Sequence, residues 1–272
     1  MPEGSETAAE QVDASATQAR SGSASPLLAG VGAVVLAVLL VVCVYAGSVA
    51  LAAAYLLSAL VVAVGWPMLL GLQRERSSAL VLGIGAVSMA IIVGWADTAD
   101  GIRWVTAALA ISLALVFLQS LVSRGERERV VISLAVMSLG LGALASGAFL
   151  ADAALRVHGR EAVVAALAGA ALGTALDAVL HGRGRLSEAT LPVSLLLGIG
   201  AGLIAAGIAG VPWNAPLVAG LLGAAVSHAF RTILRGPART GGPQAQLALG
   251  AATVLFVGVL PTAAVWIFSR IS

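Results

Sequence analysis

Nine long apolar runs follow one another along this chain, separated by short polar connections. The first of them, LLAGVGAVVLAVLLVVCVYA at 27–46, contains no charged residue. A helix needs about 20 mainly apolar residues to cross the hydrocarbon core of a bilayer, and the runs have this length. A backbone in lipid must satisfy its own hydrogen bonds, and the runs lack the two-residue alternation of barrel strands. The sequence therefore predicts an all-α, polytopic membrane helix bundle.

The predicted organisation is a short tail followed by one transmembrane domain. Residues 1–25 are rich in Ser, Ala and Glu without apolar periodicity, which predicts a disordered, acidic cytoplasmic tail. Residues 26–272 form the transmembrane domain, for which eight to ten spans are compatible with the pattern. We place nine, at 27–46, 48–72, 78–96, 102–122, 130–151, 162–181, 190–210, 214–234 and 246–269.

Arginine counts predict the orientation, because cytoplasmic connections carry an excess of basic residues. All 15 basic residues are arginine; 11 lie on the side of the N-terminus and four on the other side. This places the N-terminus in the cytoplasm and, with nine spans, the C-terminus outside. Tryptophan favours the membrane interface, and four tryptophans fall near predicted outer ends of spans: Trp95, Trp104, Trp213 and Trp266. We expect a bacterial cytoplasmic membrane protein.

Composition and missing motifs limit the function classes. The chain is 60% hydrophobic and 10% charged, which excludes an ordinary soluble domain. It has no phosphate-binding GxxxxGK loop, no HExxH pair, no GxSxG elbow and no Cys/His zinc pattern. We therefore expect no enzyme activity, no cofactor, no metal site and no nucleic-acid partner.

One candidate site is a helix face formed by Gly169, Gly173 and Asp177. These residues are spaced four apart, so they share one face of the sixth span. Small residues at this spacing allow close approach of another helix. The face is either a simple packing surface or one that ends in a carboxylate lining a pathway.

A second candidate is a basic patch at the end of the eighth span, formed by His228, Arg231, Arg235 and Arg239. The first three lie at i, i+3 and i+7 and share a helix face. Such a patch suits anionic lipid or a phosphorylated ligand. The positive-inside rule alone also explains the patch and is the favoured interpretation.

Two similar stretches, DAALRVHGR at 152–160 and DAVLHGR at 177–183, invite comparison as halves of one site. The predicted topology puts them on opposite membrane faces, which argues against a shared site. Each is interpreted as a helix ending with a glycine cap, Gly159 or Gly182. The carboxylates have possible partners four residues on: Arg156 for Asp152, and His181 for Asp177.

Three functional hypotheses follow. The first is a transport-related protein, either a permease-like protein or the membrane subunit of a transporter, since short connections leave no room for an extramembrane domain. The alternative is a non-catalytic scaffold or accessory subunit of an envelope complex, binding another membrane protein or a second copy through Gly/Ala-rich faces. Membrane lipids are the expected surroundings in both. A lipid-modifying enzyme using Asp152, Asp177 and the arginines ranks last.

Overall fold

The computed structural model describes residues 27–72, 75–95, 103–122, 127–180, 189–234 and 242–271. Within these ranges the chain forms ten α-helices and no strand, which confirms the all-α prediction. The predicted tail at 1–25 lies outside the described residues. The helices are α1 (Leu27–Ala46), α2 (Ser48–Leu69), α3 (Glu75–Gly94), α4 (Arg103–Val122), α5 (Arg127–Leu155), α6 (Gly159–Leu180), α7 (Thr190–Ala209), α8 (Asn214–Leu234), α9 (Pro243–Phe256) and α10 (Val259–Ile271).

The described helices supply nine segments long and apolar enough to cross a membrane, as the sequence predicts. The largest difference in position is at the end of α5, which is predicted at 151 and lies at Leu155. The ninth segment is not one helix, because α9 and α10 share it. These nine segments indicate a multi-pass membrane protein.

The centre of the bundle is α9, which packs against α1, α2, α5, α6 and α8. Its interior face is built largely from alanine, including Ala245, Ala248, Ala251 and Ala252, all fully buried. Small side chains let several helices approach one central helix at once. By contrast, α4 packs mainly on α3 and α5, and α7 mainly on α6 and α8. Both therefore lie at the periphery.

Buried aromatic side chains connect α2 to α5. The hydroxyl of Tyr55 donates to the carbonyl of Leu144 at 2.8 Å, and the indole Nε1 of Trp66 donates to the carbonyl of Val136 at 2.9 Å. Both rings are almost fully buried, so each polar group needs such a partner. These two bonds fix the position of α2 along α5.

The break in the ninth segment lies at Val257 and Gly258. Pro261, which predicts a local kink, cannot donate a hydrogen bond to the carbonyl of Val257. The N–H of Leu260 bonds to that carbonyl instead, at 3.0 Å. Pro67, a second proline within an apolar run, lies inside α2, which runs unbroken from Ser48 to Leu69.

Ser146 of α5 bridges the break. Its Oγ donates to the carbonyl of Phe256 at 2.7 Å and accepts the N–H of Val259 at 3.1 Å. Gly258 lies against the same turn of α5, where a side chain at 258 would collide with the carbonyl of Ser146. Backbone groups at a helix interruption within an apolar bundle need partners, and Ser146 supplies them on both sides.

Candidate functional site

The glycine face of α6 packs directly against α8. A side chain at Gly169 would collide with the carbonyl of Gly220, and one at Gly223 with the carbonyl of Ala166. On α7, Gly198 likewise meets the backbone of Gly220. The three helices α6, α7 and α8 therefore meet at backbone contact, which only residues without a side chain permit.

Helices α6 and α8 run in the same direction. Contacts between them keep a nearly constant sequence offset: Thr174 meets Ser227 across 53 positions, and Asp177 meets Arg231 across 54. A constant offset requires parallel axes, because antiparallel helices would pair rising numbers with falling ones. The two helices thus stay in register from their glycine contact to their C-terminal ends.

At those ends Asp177 and Arg231 form a buried ion pair. The Nε of Arg231 donates to Oδ2 of Asp177 at 2.9 Å, and the two side chains are only 6% and 7% exposed. Arg231 suits the negative end of its helix, whereas a carboxylate at the end of α6 does not. Pairing with Arg231 compensates the carboxylate where little water reaches it.

Two hydroxyls complete the surroundings of the guanidinium. The Nη1 of Arg231 donates to both Thr174 and Ser227. These hydroxyls lie 3.2 Å apart, and each also donates to the carbonyl of Ala170, Thr174 at 2.7 Å and Ser227 at 3.3 Å. The Asp177 carboxylate and the Arg231 guanidinium are therefore held in a polar cluster that joins α6 to α8.

His228 lies beside the same carboxylate. Its Nδ1 is 3.8 Å from Oδ2 of Asp177, and its side chain is 18% exposed. We call Thr174, Asp177, Ser227, His228 and Arg231 the α6–α8 polar cluster.

The cluster combines residues from both candidate sites. Asp177 comes from the glycine face, and His228 and Arg231 come from the basic patch. Arg231 is buried against α6 and does not lie at the bundle surface, while Arg235 and Arg239 lie outside the described residues. Asp177 contacts Arg231, and the partner suggested by sequence spacing, His181, also lies outside them.

Thr174 and Ser227 are absent from both candidate sites. The signal that points to them is their spacing: Thr174 precedes Asp177 by three residues, and Ser227 precedes Arg231 by four. Each pair shares a helix face. Spans two apart in an alternating topology run parallel, so the two faces can be aligned by sequence number.

The other predicted aspartate partner is confirmed. Arg156 donates from Nε to Oδ2 of Asp152 at 2.9 Å and from Nη2 to Oδ1 at 3.2 Å, at the end of α5. The Arg156 side chain is 39% exposed. The Nε–Oδ2 distance is the same 2.9 Å as in the Asp177–Arg231 pair. The two pairs differ in that the Arg156 side chain is exposed and the Arg231 side chain is buried.

The predicted glycine cap at Gly159 is wrong. The left-handed residue in this turn is His158, with φ of 57°, and Gly159 begins α6. Gly159 is still required, because a side chain there would collide with the carbonyl of Ala153. Gly182, the second predicted cap, lies outside the described residues.

Over the described ranges, no three His, Cys, Asp or Glu side chains come together as metal ligands. The chemistry of the α6–α8 polar cluster is that of charge pairing and hydrogen bonding to hydroxyls. Comparisons with protein families, curated proteins and solved structures found no match to this chain.

Proposed function

We propose that this chain is a transport-type protein of the cytoplasmic membrane, either a small permease or the membrane subunit of a larger transporter. The observation that carries the proposal is the buried Asp177–Arg231 pair, whose members are the only buried charged side chains among the described residues. Ionisable side chains are costly within membrane spans and mark substrate or ion pathways more often than simple packing.

The interrupted ninth segment supports the same class of protein. Discontinuous spans occur in transporters, where the ends of half-helices provide polar groups inside the bundle. Here the interruption between α9 and α10 is held against α5 by two hydrogen bonds to Ser146. The arginine bias in the connections, with the N-terminus in the cytoplasm, would place the Asp177–Arg231 pair near the cytoplasmic ends of α6 and α8.

The test is solute uptake into proteoliposomes containing the purified protein, with and without subunits that co-purify. A panel of anionic, cationic and neutral solutes is compared between the wild type and Arg231→Gln. We expect uptake of at least one solute, reduced by Arg231→Gln and unchanged by Arg156→Gln, which removes the exposed pair. Absence of uptake of every solute, in both preparations, would argue strongly against the proposal.

A scaffold or accessory subunit is the second candidate, and one observation favours it. The peripheral helix α7 has two glycines that face open space, Gly200 and Gly207, and it also carries exposed apolar side chains such as Ile204 and Ile208. A face of this kind suits close approach by a helix of another protein. Extraction in mild detergent followed by affinity purification tests this function, and recovery of the chain alone would remove its support.

A further inference from the structure

The ninth apolar segment changes neighbours at its break. Before the break, α9 packs mainly against α1 and α2, and most of its buried side chains belong to the main core of the bundle. After the break, α10 packs against α5, α6 and α8. Its buried side chains lie in a second, smaller core, formed by Ala162, Ala166, Ala215, Ala219, Ala264 and Val265. A movement of α10 would therefore open the second core and leave the main core closed.

Two backbone hydrogen bonds at the break are shorter in span than those of an α-helix. The N–H of Gly258 donates to the carbonyl of Leu255, and the N–H of Leu260 donates to the carbonyl of Val257, both at 3.0 Å. Each bond crosses three residues, whereas an α-helical bond crosses four. The chain is therefore tightened into a separate turn between α9 and α10.

The remaining polar groups of this turn bond to another helix. Ser146 of α5 donates to the carbonyl of Phe256 and accepts the N–H of Val259. Within a continuous helix both groups would bond to backbone of the same segment. One hydroxyl of α5 thus replaces part of the helical ladder.

A continuous helix would satisfy the turn with the same number of hydrogen bonds. The three N–H groups of 258–260 would donate to the carbonyls of 254–256. The hydroxyl of Ser146 would donate one turn back within α5, as the hydroxyl of Ser58 does within α2 at 2.9 Å. The interrupted form has two backbone bonds and two bonds to Ser146, and the continuous form would have three and one. Both forms therefore contain four.

Thr262 of α10 follows the same pattern. Its hydroxyl donates to the carbonyl of Phe149 on α5 at 3.1 Å. A threonine inside a helix can donate instead to the carbonyl one turn earlier in its own helix. This contact between α10 and α5 is therefore exchangeable as well.

Pro261 favours the interrupted form. In a continuous helix the carbonyl of Val257 would face Pro261, which has no N–H and whose ring crowds that carbonyl. In the interrupted form the same carbonyl accepts the N–H of Leu260. The two forms thus have equal numbers of hydrogen bonds, and one proline decides which form predominates.

We propose that the break is a two-state hinge, in which Ser146 holds α10 in the interrupted form and its release lets α9 and α10 join into one continuous helix. Joining the two helices redirects α10 along the axis of α9 and moves it relative to α6 and α8. The movement opens the second core on the side that α10 covers. This inference goes beyond the proposed function, because the hinge requires no transported solute.

Distances between two spin labels on the full-length protein in nanodiscs test the inference. Cys43, the single cysteine of the chain, is first replaced by alanine. The α10 pair carries labels at Ile91→Cys on α3 and Ile267→Cys on α10, and the α9 pair carries them at Ile91→Cys and Gln244→Cys. The three positions are exposed, so the labels leave both cores intact. Pulsed electron paramagnetic resonance gives the distances and their populations.

We expect the α10 pair to show a second distance whose population rises about tenfold in Ser146→Ala. This variant removes two hydrogen bonds from the interrupted form and only one from the continuous form. The α9 pair should keep one distance in every protein. Ser88→Ala is the matched control, because Ser88 bonds only to Gly85 of its own helix.

Pro261→Ala should also raise the population of the second distance. The alanine N–H would bond to the carbonyl of Val257 in the continuous helix, so the variant stabilises that form. This variant also tests the hinge if Ser146→Ala does not fold. Pro67→Ala is its control, since Pro67 lies in the unbroken α2.

A single, unchanged distance for the α10 pair in Ser146→Ala and Pro261→Ala would overturn the inference. A second distance that appears equally in the α9 pair would also overturn it, because the main core would then be moving. Absence of solute uptake would leave the hinge intact. Conversely, a fixed α10 would leave the proposed transport function intact.

Discussion

Arg231 donates from Nε to Oδ2 of Asp177 across 54 positions of sequence, and both side chains are almost wholly buried. This single contact joins two parallel helices at their C-terminal ends. It also makes one site from two sequence candidates that have no obvious relation to each other.

Loss of one partner of this pair should be strongly destabilising. Arg231→Gln leaves a buried carboxylate without its cation, and breaking a buried pair in this way costs about 3–5 kcal/mol. Asp177→Asn/Arg231→Gln removes both charges and should recover most of that loss. Reversible unfolding in mixed detergent micelles, followed by tryptophan fluorescence, gives the comparison.

The matched control is Arg156→Gln, which breaks an exposed pair with the same 2.9 Å contact. Exposed pairs contribute about 0–1 kcal/mol, so this variant should remain close to the wild type. Equal effects of Arg156→Gln and Arg231→Gln would contradict the assignment of a buried pair at α6 and α8.

Ser146→Ala should destabilise the protein through the break between α9 and α10. The hydroxyl donates to Phe256 and accepts from Val259, so its removal leaves two backbone groups without that partner. The cost of such a loss is about 1–3 kcal/mol. Ser88→Ala is the control, because Ser88 donates only to Gly85 within its own helix. Hydrogen exchange at 256–260 should rise in the first variant and stay unchanged in the second.

Gly220→Ala should disturb the packing of α6, α7 and α8. The added methyl group would collide with the backbone of Gly198, and overpacking of this kind costs about 1–3 kcal/mol. Gly200→Ala points a methyl group into open space and should be neutral, or stabilising by up to about 1 kcal/mol. Thermal unfolding of both variants tests these two expectations. A Gly220→Ala protein as stable as the wild type would refute the backbone contact.

Tyr55→Phe should lower stability modestly while keeping the ring in place. The variant loses the hydrogen bond to the carbonyl of Leu144, worth about 0.5–1.5 kcal/mol. Tyr45→Phe is the comparison, because Tyr45 is 55% exposed. We expect a lower unfolding midpoint for the first variant only, measured by the loss of near-UV circular dichroism on heating.

Hydropathy predicts the number and position of the apolar segments well, since span length is set by bilayer thickness. It does not predict the break at Val257 and Gly258, because those residues are as apolar as their neighbours. The interruption depends on Pro261 and on a serine of another helix, Ser146, more than a hundred positions away.

The Asp177–Arg231 pair shows how far the sequence can predict the candidate site. Helical spacing predicts that each aspartate pairs with the residue four positions later, and this prediction is confirmed for Asp152 and Arg156. It does not supply Arg231 for Asp177, because hydropathy does not encode which spans are neighbours. The four-residue glycine spacing of α6 identifies the correct face but not the helix that packs against it.

The 54-residue separation of Asp177 and Arg231 also bears on biogenesis. In a chain inserted span by span, α6 enters the bilayer before α8 has been synthesised. At about 5–20 residues per second, the carboxylate waits roughly 3–10 seconds for its arginine. During that interval Asp177 must remain at the headgroups or stay beside the insertion machinery, so α6 completes its packing only when α8 arrives.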